Sequence, residues 1–127
     1  MLQLWRAVGY GYILLIIWLS LRPDPIEIGV RHGDTLEHFS AYALLMYWFC
    51  QIHVDTSARI RCAVAFAVLG VALEILQHLS GYRTGDVWDA AANVTGIAMG
   101  WAAAPPRLPN LRRLAESLVA FARGHGI

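Results

Sequence analysis

Ionisable and amide side chains recur at helical spacing in two stretches of this sequence. Asp34 and His38 are four residues apart, and so are Glu74 and His78, with Gln77 between the latter two. Residues four apart lie on the same face of a helix. Imidazole and carboxylate groups are the usual carriers of protons in acid–base chemistry. Each stretch could therefore supply one side of a reactive or ligand-binding site.

A third stretch contains five residues spaced by three and four: Asp86, Asp89, Asn93, Gly96 and Gly100. At 100° per residue these five fall within an arc of about 80°, which is a single stripe on one helix. Small residues in such a stripe let a neighbouring helix approach closely. Because acids and glycines share the stripe, we expect it to face other helices. Arg83 precedes the stripe and is predicted to pair with a nearby acid.

The composition indicates an integral membrane protein. The chain has 127 residues, of which 57% are hydrophobic and only 15% charged, and it contains no lysine. A water-soluble helical bundle of this size needs charged outer faces, and the few charges here cannot cover them. We therefore predict an all-α polytopic membrane protein that forms a single domain over residues 1–127.

Four transmembrane helices are predicted in a bundle, at about 4–21, 36–53, 60–79 and 87–104. The uncharged run in the third is only 12 residues long, so the third and fourth spans need Glu74, Gln77 and Asn93 to reach the roughly 20 residues that a bilayer requires. These polar residues are accordingly placed inside helices, near their ends. A C-terminal amphipathic helix is predicted at about 108–123, lying at the lipid interface, with a frayed soluble tail as the alternative.

The arginines predict the orientation of the chain. Four spans place both termini on one side, and seven of the ten arginines share that side: Arg6, Arg59, Arg61, Arg107, Arg112, Arg113 and Arg123. The positive-inside bias then predicts a multi-pass protein of the cell membrane with both termini cytoplasmic. The polar residues at the opposite helix ends would then face the outside of the cell. Topology and contact with membrane lipid explain the arginines, so no nucleic-acid partner is expected.

The pattern of polar residues resembles that of the VanZ-like family of small membrane proteins, which is named after a teicoplanin-resistance factor. The matching residues are Ser20, Pro23, Asp34, His38, Phe39, Ala41, Tyr42, Leu45, Glu74, Gln77, Arg83, Asp86, Asp89, Asn93, Gly96 and Gly100. Thr35 stands where this family usually has lysine. The resemblance implies a role in the cell envelope related to antibiotic resistance, and it implies no particular reaction or cofactor.

The first functional interpretation is an outward-facing pocket that binds or acts on a cell-envelope component, such as a lipid-linked or cell-wall precursor. The four candidate catalytic residues are Asp34, His38, Glu74 and Asp89, and the candidate binding residues are Gln77, Arg83, Asp86 and Asn93. Gly96 and Gly100 are assigned to helix packing. Acid–base groups beside a cationic group suit a phosphorylated ligand. Whether the protein is an enzyme stays open.

Two alternatives use the same residues. The protein could be a non-enzymatic subunit for assembly or for an ion or proton pathway, with a structural polar cluster; transport through four short spans would require a homo-oligomer. A metal site could use one alternative ligand set: His38, Glu74, His78 and Asp89. An E-x-x-x-H spacing alone is not specific for metal binding, so the sequence assigns no metal.

Overall fold

The computed structural model describes residues 1–22, 33–81 and 87–126, with side chains from Thr35 onward in the second range. Within these ranges all regular structure is helical, as predicted. Five helices follow one another: α1 (Leu2–Leu21), α2 (Gly33–Ile52), α3 (Thr56–Ser80), α4 (Val87–Ala103) and α5 (Leu111–Gly124).

Two of the described helices, α1 and α3, are long and apolar enough to cross a membrane, judged by length and composition. Their mean hydropathies over the most apolar window are 1.6 and 1.9. Large apolar side chains such as Leu14 and Val68 remain exposed on their outer surfaces. These two helices indicate association with a membrane.

Three helix starts differ from the prediction by three or four residues. The second helix begins at Gly33 rather than near 36. The third helix begins at Thr56, four residues early, because the Asp55 side chain accepts a hydrogen bond from the Ala58 amide at 3.0 Å and caps the helix. Residues 56–59, which the sequence placed before the third span, are therefore helical. The last helix begins at Leu111 rather than near 108, because Asn110 caps it in the same manner.

The centre of the protein is α2, which contacts α1, α3, α4 and α5. Its longest contact is with α4, along the stripe that contains Gly96 and Gly100. A Cβ at Gly96 would collide with the carbonyl oxygen of Phe39, and a Cβ at Gly100 would collide with that of Ala43. The two glycines thus let the backbones of α2 and α4 touch.

The helices α1 to α4 run in alternating directions. Trp48, near the end of α2, stacks on Trp5, near the start of α1, with ring centroids 4.2 Å apart. Its indole nitrogen donates to the Trp5 carbonyl at 2.9 Å. At the other end of the protein, Gln77 of α3 donates to the Ser20 carbonyl of α1 at 2.7 Å. The C-terminal ends of α1 and α3 therefore lie beside the N-terminal end of α2.

A buried arginine joins the helices at the end of the bundle opposite to Asp89 and Asn93. Arg59 is only 5% exposed, and its guanidinium donates to the carbonyls of Cys50 at 3.0 Å, His53 at 2.7 Å and Pro105 at 2.7 Å. The sequence predicts only that Arg59 lies just before the third span, on the arginine-rich side. Arg59 fastens the end of α2 to the segment that follows α4.

The last helix is attached to α2 through Gln51. The Gln51 side-chain oxygen accepts from the Leu111 amide at 2.7 Å, and its backbone carbonyl accepts from Arg112 Nε at 3.2 Å. Along α5 the apolar side chains remain exposed: Leu111, Leu114, Leu118 and Phe121. An amphipathic helix with an uncovered apolar face suits the surface of a lipid bilayer.

Candidate functional site

His38 of α2 lies at the centre of a cluster of polar side chains, which also contains Glu74, Asp89 and Asn93. Its Nδ1 is 3.0 Å from Oδ1 of Asn93, a nearly fully buried residue of α4. An amide oxygen only accepts hydrogen bonds, so this contact assigns the proton of a neutral imidazole to Nδ1 and leaves a lone pair on Nε2. Gly70 of α3 makes room for this amide, since a Cβ at Gly70 would lie 2.8 Å from Asn93 Nδ2.

Two carboxylates flank the His38 ring. Glu74 Oε1 of α3 lies 3.7 Å from Nδ1, and Asp89 Oδ2 of α4 lies 3.8 Å from Nε2. One donor atom from each of the three residues lies within 4.8 Å of the others. The exposed fractions of the side chains are 13% for His38, 11% for Glu74 and 9% for Asp89. Three of the four predicted catalytic residues therefore meet, each from a different helix.

Thr35 fixes the orientation of Asp89. Its hydroxyl donates to Oδ1 at 3.1 Å, so the other carboxylate oxygen, Oδ2, is the one that faces His38. Sequence reasoning noted Thr35 only as a departure from a family pattern and gave it no role. A single hydroxyl in a helix has no distinctive spacing, and its partner lies 54 residues away.

A cavity of about 430 Å³ opens beside His38, between α1, α2 and α3. Part of its wall is apolar and part is polar, with Ile16, Leu19 and Leu44 on the one hand and Glu37, Ser40 and Gln77 on the other. Tyr12 also lines it, and its hydroxyl donates to the Ala41 carbonyl at 3.0 Å. Sequence reasoning missed Tyr12 and Ser40, because isolated hydroxyls in apolar helices carry little signal.

Of the other predicted site residues, Gln77 and Asn93 lie at the site and His78 does not. Gln77 is buried and lines the cavity, and Asn93 orients His38. His78 is exposed and does not join the group formed by His38, Glu74 and Asp89. Asp34 lies in the first turn of α2. The side chain of Asp34, and all of Pro23, Arg83 and Asp86, lie outside the described residues, so their proposed roles stay predictions.

An imidazole between two carboxylates in a largely buried setting has two chemical uses. It can take up and release a proton, or the three groups can coordinate a cation. Either use requires access, and the neighbouring cavity supplies it, since His38 forms part of the cavity wall. The arrangement thus places a group of ionisable side chains beside a cavity.

The chain matches no known family model, no curated protein and no solved structure. Functional inference therefore depends on the geometry of the site and on the pattern of residues.

Proposed function

We propose that the chain is a multi-pass protein of the cell membrane, with α1 to α4 as its four spans and both termini in the cytoplasm. The apolar character of α1 and α3 supports this arrangement. So does the gathering of polar groups at one end of the bundle, opposite to the end that contains Arg59 and the start of α5. The arginine-rich side is then the cytoplasmic one.

The topology predicts the behaviour of fused reporters. A phosphatase that is active only outside the cytoplasm should be inactive when fused after Ile127, and a fluorescent protein fused there should mature. As a control, a phosphatase fused to a chain ending at Gly81, just past the third proposed span, should be active. An active phosphatase after Ile127 would contradict the topology.

For the activity, we propose that the cavity binds the polar headgroup and adjoining chain of a lipid-linked or phosphorylated cell-envelope component. The observation that carries this proposal is the mixed character of the cavity wall beside His38. An amphiphile needs an apolar surface for its chain and a few placed polar groups for its head. The resemblance to the VanZ-like family points to the same compartment. The carboxylates and imidazole would then hold the headgroup or exchange protons with it.

Filling the cavity tests this proposal. Ser40 lines the cavity yet is exposed, so a Ser40→Trp variant should place an indole in the mouth without disturbing the buried core. We expect the amount of lipid that copurifies in mild detergent, measured by native mass spectrometry, to fall roughly tenfold, equivalent to about 1.4 kcal/mol of binding energy. Thr95→Trp is the matched control, because Thr95 is an exposed hydroxyl residue on α4, away from the cavity wall.

The alternative is a non-enzymatic subunit in which the polar cluster only fixes helix packing. The contacts of His38 with Asn93, Glu74 and Asp89 favour it, because they join α2, α3 and α4. The same experiment separates the two functions. A protein with a purely structural cluster would copurify the same lipids from the wild type and from both tryptophan variants.

A further inference from the structure

We propose that His38, Glu74 and Asp89 bind a divalent transition-metal ion. The three residues come from three helices that are distant in sequence, and one donor atom of each lies within 4.8 Å of the others. This proposal is separate from the nature of the ligand in the cavity, since the ion is held by the protein's own side chains. The sequence alone assigned no metal.

The distances fit an ion after a small contraction. Donors bound to one tetrahedral ion at about 2.1 Å lie roughly 3.4 Å from one another. Nε2 of His38 and Oδ2 of Asp89 are 3.8 Å apart, and the whole donor set spans no more than 4.8 Å. The donors must therefore move closer together to bind one ion. Glu74 Oε1 lies 3.7 Å from Nδ1 of the same ring, so its carboxylate must turn toward Nε2 to share the ion with Asp89.

The hydrogen bonds around the cluster orient the donors for an ion. The contact with Asn93 occupies Nδ1 of His38 and leaves Nε2 for a ligand bond. Thr35 donates to one oxygen of Asp89 and leaves the other facing Nε2. Histidine and carboxylate ligands of metal sites are characteristically held by a second hydrogen bond of this kind, which fixes the tautomer and the ring orientation.

The donor chemistry selects the kind of ion. One imidazole with two carboxylates suits Zn²⁺ and Mn²⁺, whereas Mg²⁺ and Ca²⁺ favour oxygen ligands throughout. Three protein ligands also leave at least one coordination position for water or for an oxygen of a bound molecule. An ion here would polarise such an oxygen or lower the pKa of a bound water.

The test measures metal binding by the full-length protein, purified in detergent with an affinity tag that contains no histidine. After removal of metal with a chelator, we expect the wild type to take up one equivalent of Zn²⁺ or Mn²⁺ and to unfold at a higher temperature with the ion than without it. His38→Gln and Asp89→Asn should each weaken binding at least about 100-fold, and Thr35→Val about tenfold.

His78→Gln is the matched control, because His78 is exposed and lies one helical turn from Glu74 on the same helix. It should bind the ion as the wild type does. If His38→Gln fails to fold, Thr35→Val keeps the test decisive, since it leaves all three ligands in place. Failure of the wild type to take up either ion, or equal affinity in the wild type and in Asp89→Asn and Thr35→Val, would overturn the proposal.

Discussion

Replacing Gly96 or Gly100 by alanine is expected to destabilise the protein by about 2 kcal/mol each, as is typical of overpacking at a tight contact. A single added methyl group is enough, because the atoms in its way belong to the backbone of α2. At Gly96 they are the carbonyl oxygen of Phe39 and the amide nitrogen of Ala43, the latter at 3.1 Å. Backbone atoms cannot rotate away as a side chain can, so α2 and α4 must separate.

This separation also acts on the site. His38 precedes Phe39 on α2, and its partners Asp89 and Asn93 lie on α4. A displacement of α2 from α4 therefore lengthens the contacts of the His38 ring with both partners. We expect each alanine variant to weaken ligand binding at the site in addition to lowering stability.

Gly11→Ala is the control for the glycine variants. A Cβ at Gly11 meets no described atom within 4 Å, and Gly11 is also within a helix. Alanine there should be neutral or stabilising by up to about 1 kcal/mol, through its higher helix propensity. Thermal unfolding in detergent micelles, followed by tryptophan fluorescence, measures all three variants. If Gly96→Ala and Gly100→Ala unfold at the same temperature as Gly11→Ala, the close contact of α2 with α4 is refuted.

Arg59→Met is expected to cost on the order of 3 kcal/mol of stability. Methionine fills a similar volume but donates no hydrogen bond. The carbonyls of Cys50, His53 and Pro105 would each lose a charge-assisted bond at a site where Arg59 is almost fully buried. Hydrogen bonds to charged donors contribute more than neutral ones, and a buried carbonyl without a donor carries a desolvation penalty.

Arg61→Met is the matched control, because Arg61 lies two residues further along α3 and is exposed. It should change the unfolding temperature little. Arg59→Lys separates charge from geometry: a lysine keeps the charge but cannot reach three carbonyls with one planar fork, so it should restore only part of the stability. Equal unfolding temperatures for Arg59→Met and Arg61→Met would show that the buried contacts of Arg59 contribute nothing.

Local patterns in the sequence predict the all-α character and the approximate positions of the helices. Hydropathy and spacing depend on neighbouring residues only, and these suffice for helix positions. The role of Arg59 was beyond such reasoning. In sequence Arg59 and Arg61 are equivalent arginines, and the difference between them comes from Cys50 and Pro105, which the fold brings to one of them.

The site, too, was predictable only in part from local spacing. The spacing of Asp89 and Asn93 on one stripe predicted correctly that they share a face, and both contact His38. The spacing of Glu74 and His78 was equally regular, yet only Glu74 approaches the cluster and His78 is exposed. The angle at which α3 contacts the other helices decides whether Glu74 or His78 faces them. The spacing of residues along α3 does not determine this angle.

The close seam between α2 and α4 bears on how the protein is made. Among the described helices only α1 and α3 are both long and apolar enough to cross a membrane by length and composition, whereas α2 carries Glu37 and His38, and α4 is only 17 residues long. Ribosomes complete α2 before α4 exists. In the proposed four-span arrangement α2 is therefore made before its partner, and contact with α4 can shield its polar face from lipid only once α4 has been made.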